Sequence, residues 1–108
     1  VGPSRARDIM FSARFMPARE AYDMGLINFI HERDAIESAC VDYAKIIANN
    51  APLTVKAAKA AVNAWERGSR DDEVEAVRAM VDDCFNSEDY REGRKAFANK
   101  RTPEFKNR

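Results

Sequence analysis

Two side chains near the end of the chain have the types and spacing needed to hold a nucleotide. Phe97 and Lys100 lie three residues apart, so they would share one face of a helix that ran this far. An aromatic ring can pack on a base, and an ammonium group beside it can meet a phosphate, with Arg101 adjacent. The same spacing suits a core phenylalanine beside a solvated lysine, so spacing alone leaves both interpretations open.

A short capped helix would position this pair. The Ser87 hydroxyl can accept a hydrogen bond from a free backbone N–H of the first turn, which makes Ser87 the predicted N-cap. Glu88 and Asp89 follow, where the helix dipole favours negative charge. Pro103 prevents the helix from continuing much further. We therefore expect one helix followed by a basic tail.

The remaining polar residues show no pattern that is typical of catalysis. The acidic clusters at residues 71–73 and 82–83 fall on a polar helix face and are interpreted as solvated surface. His31 follows an apolar run and is interpreted as a surface loop residue. No serine or cysteine has a base close in sequence, and four glycines form no loop that could present N–H groups to a phosphate or an oxyanion. The sequence therefore predicts no catalytic residue.

The composition argues against several classes of protein. The 18 basic and 18 acidic residues balance, whereas general nucleic-acid binding needs a positive excess. The apolar runs are too short to span a membrane, and no secretory signal is present. Cys40 and Cys84 are predicted to be buried free thiols on separate helices, and a single histidine leaves zinc almost no ligands. We therefore expect a cytoplasmic protein without a metal site.

Helices dominate the predicted organisation, and 108 residues suffice for one helical domain, residues 1–108, with a modest core. Pro17 suits the start of a short helix that ends at Gly25. The run Leu26–Ile30 predicts a short strand or extended segment. Asp34 and Glu37 are spaced as a capping box for the next helix. The predicted helices run from about residue 3 to 13, 17 to 25, 34 to 49, 52 to 67 and 71 to 85, and from 87 onward.

The predicted fourth helix is apolar around most of its circumference. A helix of this kind is buried on two sides, and a chain of this size needs something outside itself to cover the second side. A missing part of the fold or a neighbouring subunit could supply that cover. One apolar row contains Leu53, Ala57, Ala60 and Ala64, and the other contains Val55, Ala58, Val62 and Trp65.

Three stretches resemble the enoyl-CoA hydratase/isomerase (crotonase) family, in that family's order and over nearly all of the chain. The closing stretch, Glu92–Phe105, reads E-G-R-x-A-F-x-x-K-R-x-P-x-F. The opening stretch contains V-G and A-R within residues 1–7, and it continues with A-x-E-A-Y-D-M-G-L-I-N at residues 18–28. Between them lies I-I-A-N-N-A-P at residues 46–52, with Lys59 seven residues further on. The resemblance covers only the C-terminal part of a family member, and the non-methionine Val1 agrees with a boundary inside a longer protein.

The resemblance implies a mainly helical trimerisation region of a crotonase-like α/β fold. The family's oxyanion-binding N–H groups and its two catalytic glutamates would precede Val1, so no acidic residue here replaces them. The region would contribute to a homotrimer or hexamer, and its last helix would reach a neighbour's coenzyme A. By motif, Phe97 resembles the residue near the adenine, and Lys100 resembles the one that meets the 3′-phosphate. No covalently bound cofactor is implied, because the coenzyme A thioester is the substrate.

Several branches and one different class of function remain open. The opening segment also resembles dihydroxynaphthoyl-CoA synthase, but Phe85 stands where that enzyme donates a tyrosine, and a phenylalanine has no hydroxyl to donate. An enoyl-CoA hydratase of fatty acid metabolism is therefore the first expectation, with an isomerase behind it. The alternative is a stand-alone helical module that keeps the family's oligomerisation surface without catalysis.

The purified 108-residue chain is expected not to hydrate an enoyl-CoA, because it lacks the residues that activate water and hold the thioester oxygen. The measurement is the loss of the conjugated thioester absorbance over time, with a complete hydratase as the positive control. Turnover above the buffer rate by a mass-verified chain would contradict the prediction.

Overall fold

In a computed structural model that describes all residues 1–108, the chain forms six helices and no strand, as the mainly helical prediction requires. The chain consists of two compact units, Val1–Cys40 and Val41–Arg108, so one domain over the whole chain remains a prediction. No helix is long and apolar enough to cross a membrane. The helices are α1 Gly2–Ser12, α2 Ala18–Asp23, α3 Ile36–Ala48, α4 Pro52–Glu66, α5 Asp71–Asn86 and α6 Glu88–Ala98.

Exposed ion pairs link the first two helices of the first unit, which has almost no apolar core. The Arg14 guanidinium bonds the Glu20 carboxylate and lies 3.0 Å from an Asp8 carboxylate oxygen, which links α1 to α2. These contacts raise the pKa of Arg14, the hydrogen bond to Glu20 most, and Arg14 in turn lowers the pKa of Glu20. Ala21 is this unit's only buried apolar residue.

Gly25 ends α2 as predicted. It has a φ of +76°, which glycine adopts without a steric penalty. Its N–H donates to the Tyr22 carbonyl oxygen at 2.9 Å, and the Leu26 N–H donates to the Ala21 carbonyl oxygen at 2.8 Å. This pair of bonds is a Schellman motif, which satisfies carbonyls left free at the end of a helix.

Two local predictions differ from the structure, and a third is narrowed. The run Leu26–Ile30 was predicted as a strand or an extended segment, and it forms no strand, because a strand needs a ladder partner and every regular element of the chain is a helix. Helix α3 begins at Ile36, so Ala35 rather than Asp34 precedes its first residue. Both cysteines are free, but Cys40 is exposed and Cys84 is half-buried, so neither thiol is fully buried within this chain.

Helices α4 and α5 form the main packing contact of the second unit. Small side chains allow the close approach, since Ala57 and Ala64 of α4 are each 5% exposed. The turn between the helices is a second Schellman motif, built on Gly68 with a φ of +92°. The Arg67 Nε atom donates to a Glu73 carboxylate oxygen at 2.6 Å, which also ties the two helices together.

One buried serine joins α5 to α6. Ser87 is 8% exposed, and its hydroxyl donates to the Cys84 carbonyl oxygen at 2.7 Å while accepting from the Tyr90 N–H at 3.0 Å. It therefore closes one helix and caps the next, which confirms the predicted N-cap. Helix α6 also packs against α5.

Large apolar side chains remain mostly uncovered. The buried apolar residues are all alanines, and no large side chain is fully buried. On α4, the row that includes Ala57 and Ala64 faces α5, whereas Val62 and Trp65 are 57% and 76% exposed. The chain thus covers one of the two apolar sides predicted for this helix. Other exposed apolar residues include Met10, Phe11, Phe15, Ile46 and Phe85.

The isolated chain is expected to self-associate, because exposed apolar surface of this extent favours contact with other molecules. The measurement is the sedimentation coefficient over a wide range of protein concentration, which should rise with concentration. Trp65→Ser should weaken the association, and Lys56→Ser on the same helix serves as the polar control. A monomer at every concentration would contradict the expectation.

Candidate functional site

Phe97 lies in the last turn of α6 with its ring in solvent. The side chain is 88% exposed, whereas its neighbour Ala96 is 1% exposed. The ring has no aromatic or cation–π contact within the chain. Phe97 is therefore not a core phenylalanine in this chain, and its flat apolar face is available to a ligand or to another molecule.

Lys100 lies just beyond the helix in a left-handed turn. Helix α6 ends at Ala98, so the helix does not run as far as Lys100, and the condition under which Phe97 and Lys100 would share a helical face is not met. The Lys100 N–H donates to the Phe97 carbonyl oxygen at 3.1 Å, and the Arg101 N–H donates to the Ala96 carbonyl oxygen at 3.0 Å. This is the chain's third Schellman motif, and it fixes the backbone of Lys100 relative to that of Phe97.

A lysine is unusual at this position of the motif. The φ of Lys100 is +52°, where glycine occupies the equivalent positions of the first two motifs. A left-handed conformation costs a residue with a Cβ atom roughly 1–2 kcal/mol. The ammonium group is exposed and forms no ion pair within the chain.

The tail after Lys100 folds back along the acidic side of α6. Arg101 makes two bonds to the Glu92 carboxylate, at 2.6 and 2.8 Å, and the Glu104 N–H donates to the same carboxylate at 3.0 Å. The Phe105 ring lies against Gly93, where an added Cβ atom would come within 3.6 Å of it. Residues 101–108 and their α6 contacts are called the clasp below.

A buried carboxylate holds the far end of the clasp. Asp89 is 2% exposed, and its two oxygens accept the Lys106 N–H at 2.6 Å and the Asn107 N–H at 2.8 Å. The Asp89 N–H donates to the Arg108 carbonyl oxygen at 2.9 Å. An Arg108–Glu88 ion pair at 3.0 Å completes the contacts. The clasp thus fixes the chain on both sides of the turn that carries Lys100.

Electrostatics favour the closed clasp at neutral pH. The hydrogen bond from Arg101, followed by the one from the Glu104 backbone, lowers the pKa of Glu92 to about 2. Glu92 in turn raises the pKa of Arg101. Because the folded pKa of Glu92 is depressed, its contribution to stability is fully present above about pH 4.5 and is lost as the pH falls toward 2.

The acidic clusters and His31 do not converge on a site. Asp72 pairs with Arg70 at 2.8 Å in the first turn of α5, and residues 82 and 83 are exposed. His31 lies in an exposed loop with its ring 6.1 Å from that of Phe29. No group of three or more His, Cys, Asp or Glu side chains could hold a metal ion. The residues that sequence reasoning missed are Asp89 and Glu92 as anchors of the clasp, whose donors lie 9–18 residues away.

Comparison with known proteins gives a family match over the full length. The family model described as enoyl-CoA hydratase/isomerase matches residues 1–108. A short-chain-enoyl-CoA hydratase from Clostridium acetobutylicum is 33% identical over all of this chain and 42% of its own length.

Solved structures give the same result. The crystal structure of an enoyl-CoA hydratase from Bacillus anthracis has a TM-score of 0.90 and 28% identity over 100% of this chain and 42% of that one. An enoyl-CoA hydratase from Mycobacterium tuberculosis has a TM-score of 0.86 and 28% identity over 97% of this chain and 42% of that one. The chain therefore spans about two fifths of the length of the relatives it matches.

Acid is expected to release the Glu104 end of the clasp. The Glu104 amide proton should shift in nuclear magnetic resonance spectra as the pH falls through about 2, because Glu92 in the folded chain is half protonated near that pH. Glu92→Gln should remove this pH-dependent step. Glu75→Gln, which alters the Glu75–Arg78 pair on α5, is the control and should keep it. An unchanged step in Glu92→Gln would show that Glu92 does not control the clasp.

Proposed function

This chain belongs to the enoyl-CoA hydratase/isomerase family, and we propose that it is the C-terminal region of an enoyl-CoA hydratase-like enzyme. The whole protein would add water to a 2-enoyl-CoA in the cytoplasm, as a step of fatty acid metabolism. The observation that carries the proposal is the full-length family match over 1–108 together with 42% coverage of the relatives. The catalytic glutamates and the oxyanion-binding N–H groups would lie upstream of these residues.

The region's first role would be subunit assembly in a homotrimer or hexamer. The solvent-accessible surface area of the chain is 9045 Å². A single compact protein of the same mass has an accessible surface of about 6,100 Å². Two separate compact units that together have this length have an accessible surface of about 7,300 Å². The exposed surface includes Trp65 and Val62 on the uncovered side of α4. Contact with the rest of the fold and with neighbouring subunits would cover this surface.

Its second role would be contact with the coenzyme A of a neighbouring subunit. Phe97 would pack on the adenine, and Lys100 would meet the 3′-phosphate. The exposed ring and the free ammonium group, fixed by one Schellman turn, support this assignment. A fixed backbone reduces the entropy that is lost on binding. The substrate would be an acyl-CoA thioester, and no residue of this chain would act in the chemical step.

Substitution of Lys100 in the complete oligomeric enzyme is expected to raise KM for an enoyl-CoA about fivefold to tenfold, with kcat unchanged. A contact far from the reacting carbons stabilises the ground state and the transition state equally, so the loss should fall on KM alone. Lys100→Asn is the variant of choice, because asparagine tolerates the left-handed conformation. Lys106→Asn, which removes an unpaired charge but keeps the backbone bond to Asp89, is the control.

A substrate without the 3′-phosphate tests the same contact by removing the proposed partner of Lys100 instead of Lys100 itself. With a dephospho-CoA thioester, Lys100→Asn should have no further effect on KM, because the phosphate that Lys100 meets is absent. Phe97→Leu should raise KM for both substrates. Unchanged KM in both the Lys100 and the Phe97 variants would refute the proposed contact and leave subunit assembly as the proposed role of this region.

A further inference from the structure

The uncovered side of α4 carries a stripe in which apolar and charged residues alternate. Val55, Lys59, Val62 and Glu66 are spaced i, i+4, i+7 and i+11, so they lie along one face of the helix. This face is opposite the alanines that pack on α5. Val55 and Val62 are 36% and 57% exposed, and both charged side chains are exposed. These four residues are called the α4 stripe below.

The two charges of the α4 stripe have opposite signs and no partner within the chain. Lys59 and Glu66 form no ion pair or hydrogen bond, and they lie about 10 Å apart along the helix axis. Glu66 is also the last residue of the helix, where the negative end of the helix dipole disfavours a carboxylate. No basic residue lies in that last turn to offset it. A cation brought to Glu66 from another molecule would therefore be stabilising.

We propose that the α4 stripe binds the same stripe of a second copy of the chain, with the two α4 helices antiparallel. A two-fold axis near Val62 would place Lys59 of each copy beside Glu66 of the other, so that two ion pairs flank a contact between the Val62 side chains. Packed helices lie about 8–10 Å apart, a separation that these side chains span. The inference rests on the assembly role proposed above and deepens it by naming one contact and its symmetry.

Trp65 favours the same orientation of the two helices. Its side chain is 76% exposed beside the stripe, and Ala58 and Ala61 on the same side of the helix are exposed as well. In the antiparallel pair, the Trp65 ring of one copy would lie over these small side chains of the other, because they lie at similar distances on opposite sides of the axis. A parallel pair in register would instead place like charges side by side.

Charge reversal tests the contact between Lys59 and Glu66. Lys59→Glu and Glu66→Lys should each raise the dissociation constant for self-association of the chain about tenfold at low salt, because both ion pairs become repulsive. An equimolar mixture of the two variants should associate as tightly as the wild type, since one copy then presents two carboxylates and the other two ammonium groups. The measurement is sedimentation equilibrium, and circular dichroism establishes that each variant is folded.

Two matched variants control for the change in net charge. Lys56→Glu makes the same change as Lys59→Glu on the same helix but off the stripe. Asp83→Lys introduces the opposite change at an exposed position of α5. Each should change the dissociation constant less than twofold.

A disulfide tests whether the same pairing exists in the complete enzyme. Its native cysteines, Cys40 and Cys84 included, are first replaced by serine. Val62→Cys in this background should give a cross-linked dimer on mild oxidation, because the two sulfur atoms would lie near the two-fold axis. Lys56→Cys is the control and should remain uncross-linked on a non-reducing gel.

Two results would overturn the proposal. One is a mixture of Lys59→Glu and Glu66→Lys that associates no more tightly than either variant alone, which would show that the two side chains do not meet. The other is the absence of the Val62→Cys cross-link, which would show that another part of the protein covers this side of α4. An oligomeric complete enzyme without the cross-link would keep the assembly role and refute this contact alone, and neither result bears on KM in the Lys100 variants.

Discussion

The fold-back of residues 101–108 along α6 is the interaction on which the end of this chain depends. A tail without secondary structure keeps its place only if its backbone N–H groups find acceptors, and Asp89 and Glu92 supply them. Asp89 can be buried because it accepts two backbone N–H groups, and an unpaired carboxylate in that position would be costly. The turn at Lys100 is consequently held from both sides, by the last turn of α6 and by the tail.

The same interaction determines which side chains of α6 remain free to contact other molecules. The tail engages the acidic residues of α6, and Lys95 adds to the stabilisation of the Glu92 carboxylate. Phe97 and Lys100 lie at the end of the helix, where the tail begins. Overall charge argued against nucleic-acid binding, but it gave no information about where the charges lie.

Local chemistry made much of the helical organisation predictable. Ser87 was identifiable as a cap because its hydroxyl acts on an N–H three residues away, and Gly25 as a stop because glycine tolerates a positive φ. The clasp was not predictable, because its partners are up to 18 residues apart and no periodicity marks a tail that packs on a helix. The turn at Lys100 was missed because the residue is not glycine. The run Leu26–Ile30 forms no strand because an apolar run does not by itself supply the neighbouring strand that a ladder needs.

Ser87 has a mechanical consequence. One hydroxyl closes α5 and opens α6, so the angle between the two helices cannot widen without breaking a bond at both of their ends. The two helices therefore move as one unit that turns about this serine. A displacement of α5, which packs on α4, must swing the far end of α6 and carry Phe97 with it. A movement of the α4–α5 layer is thereby coupled, through the eleven residues of α6, to the place where Phe97 projects.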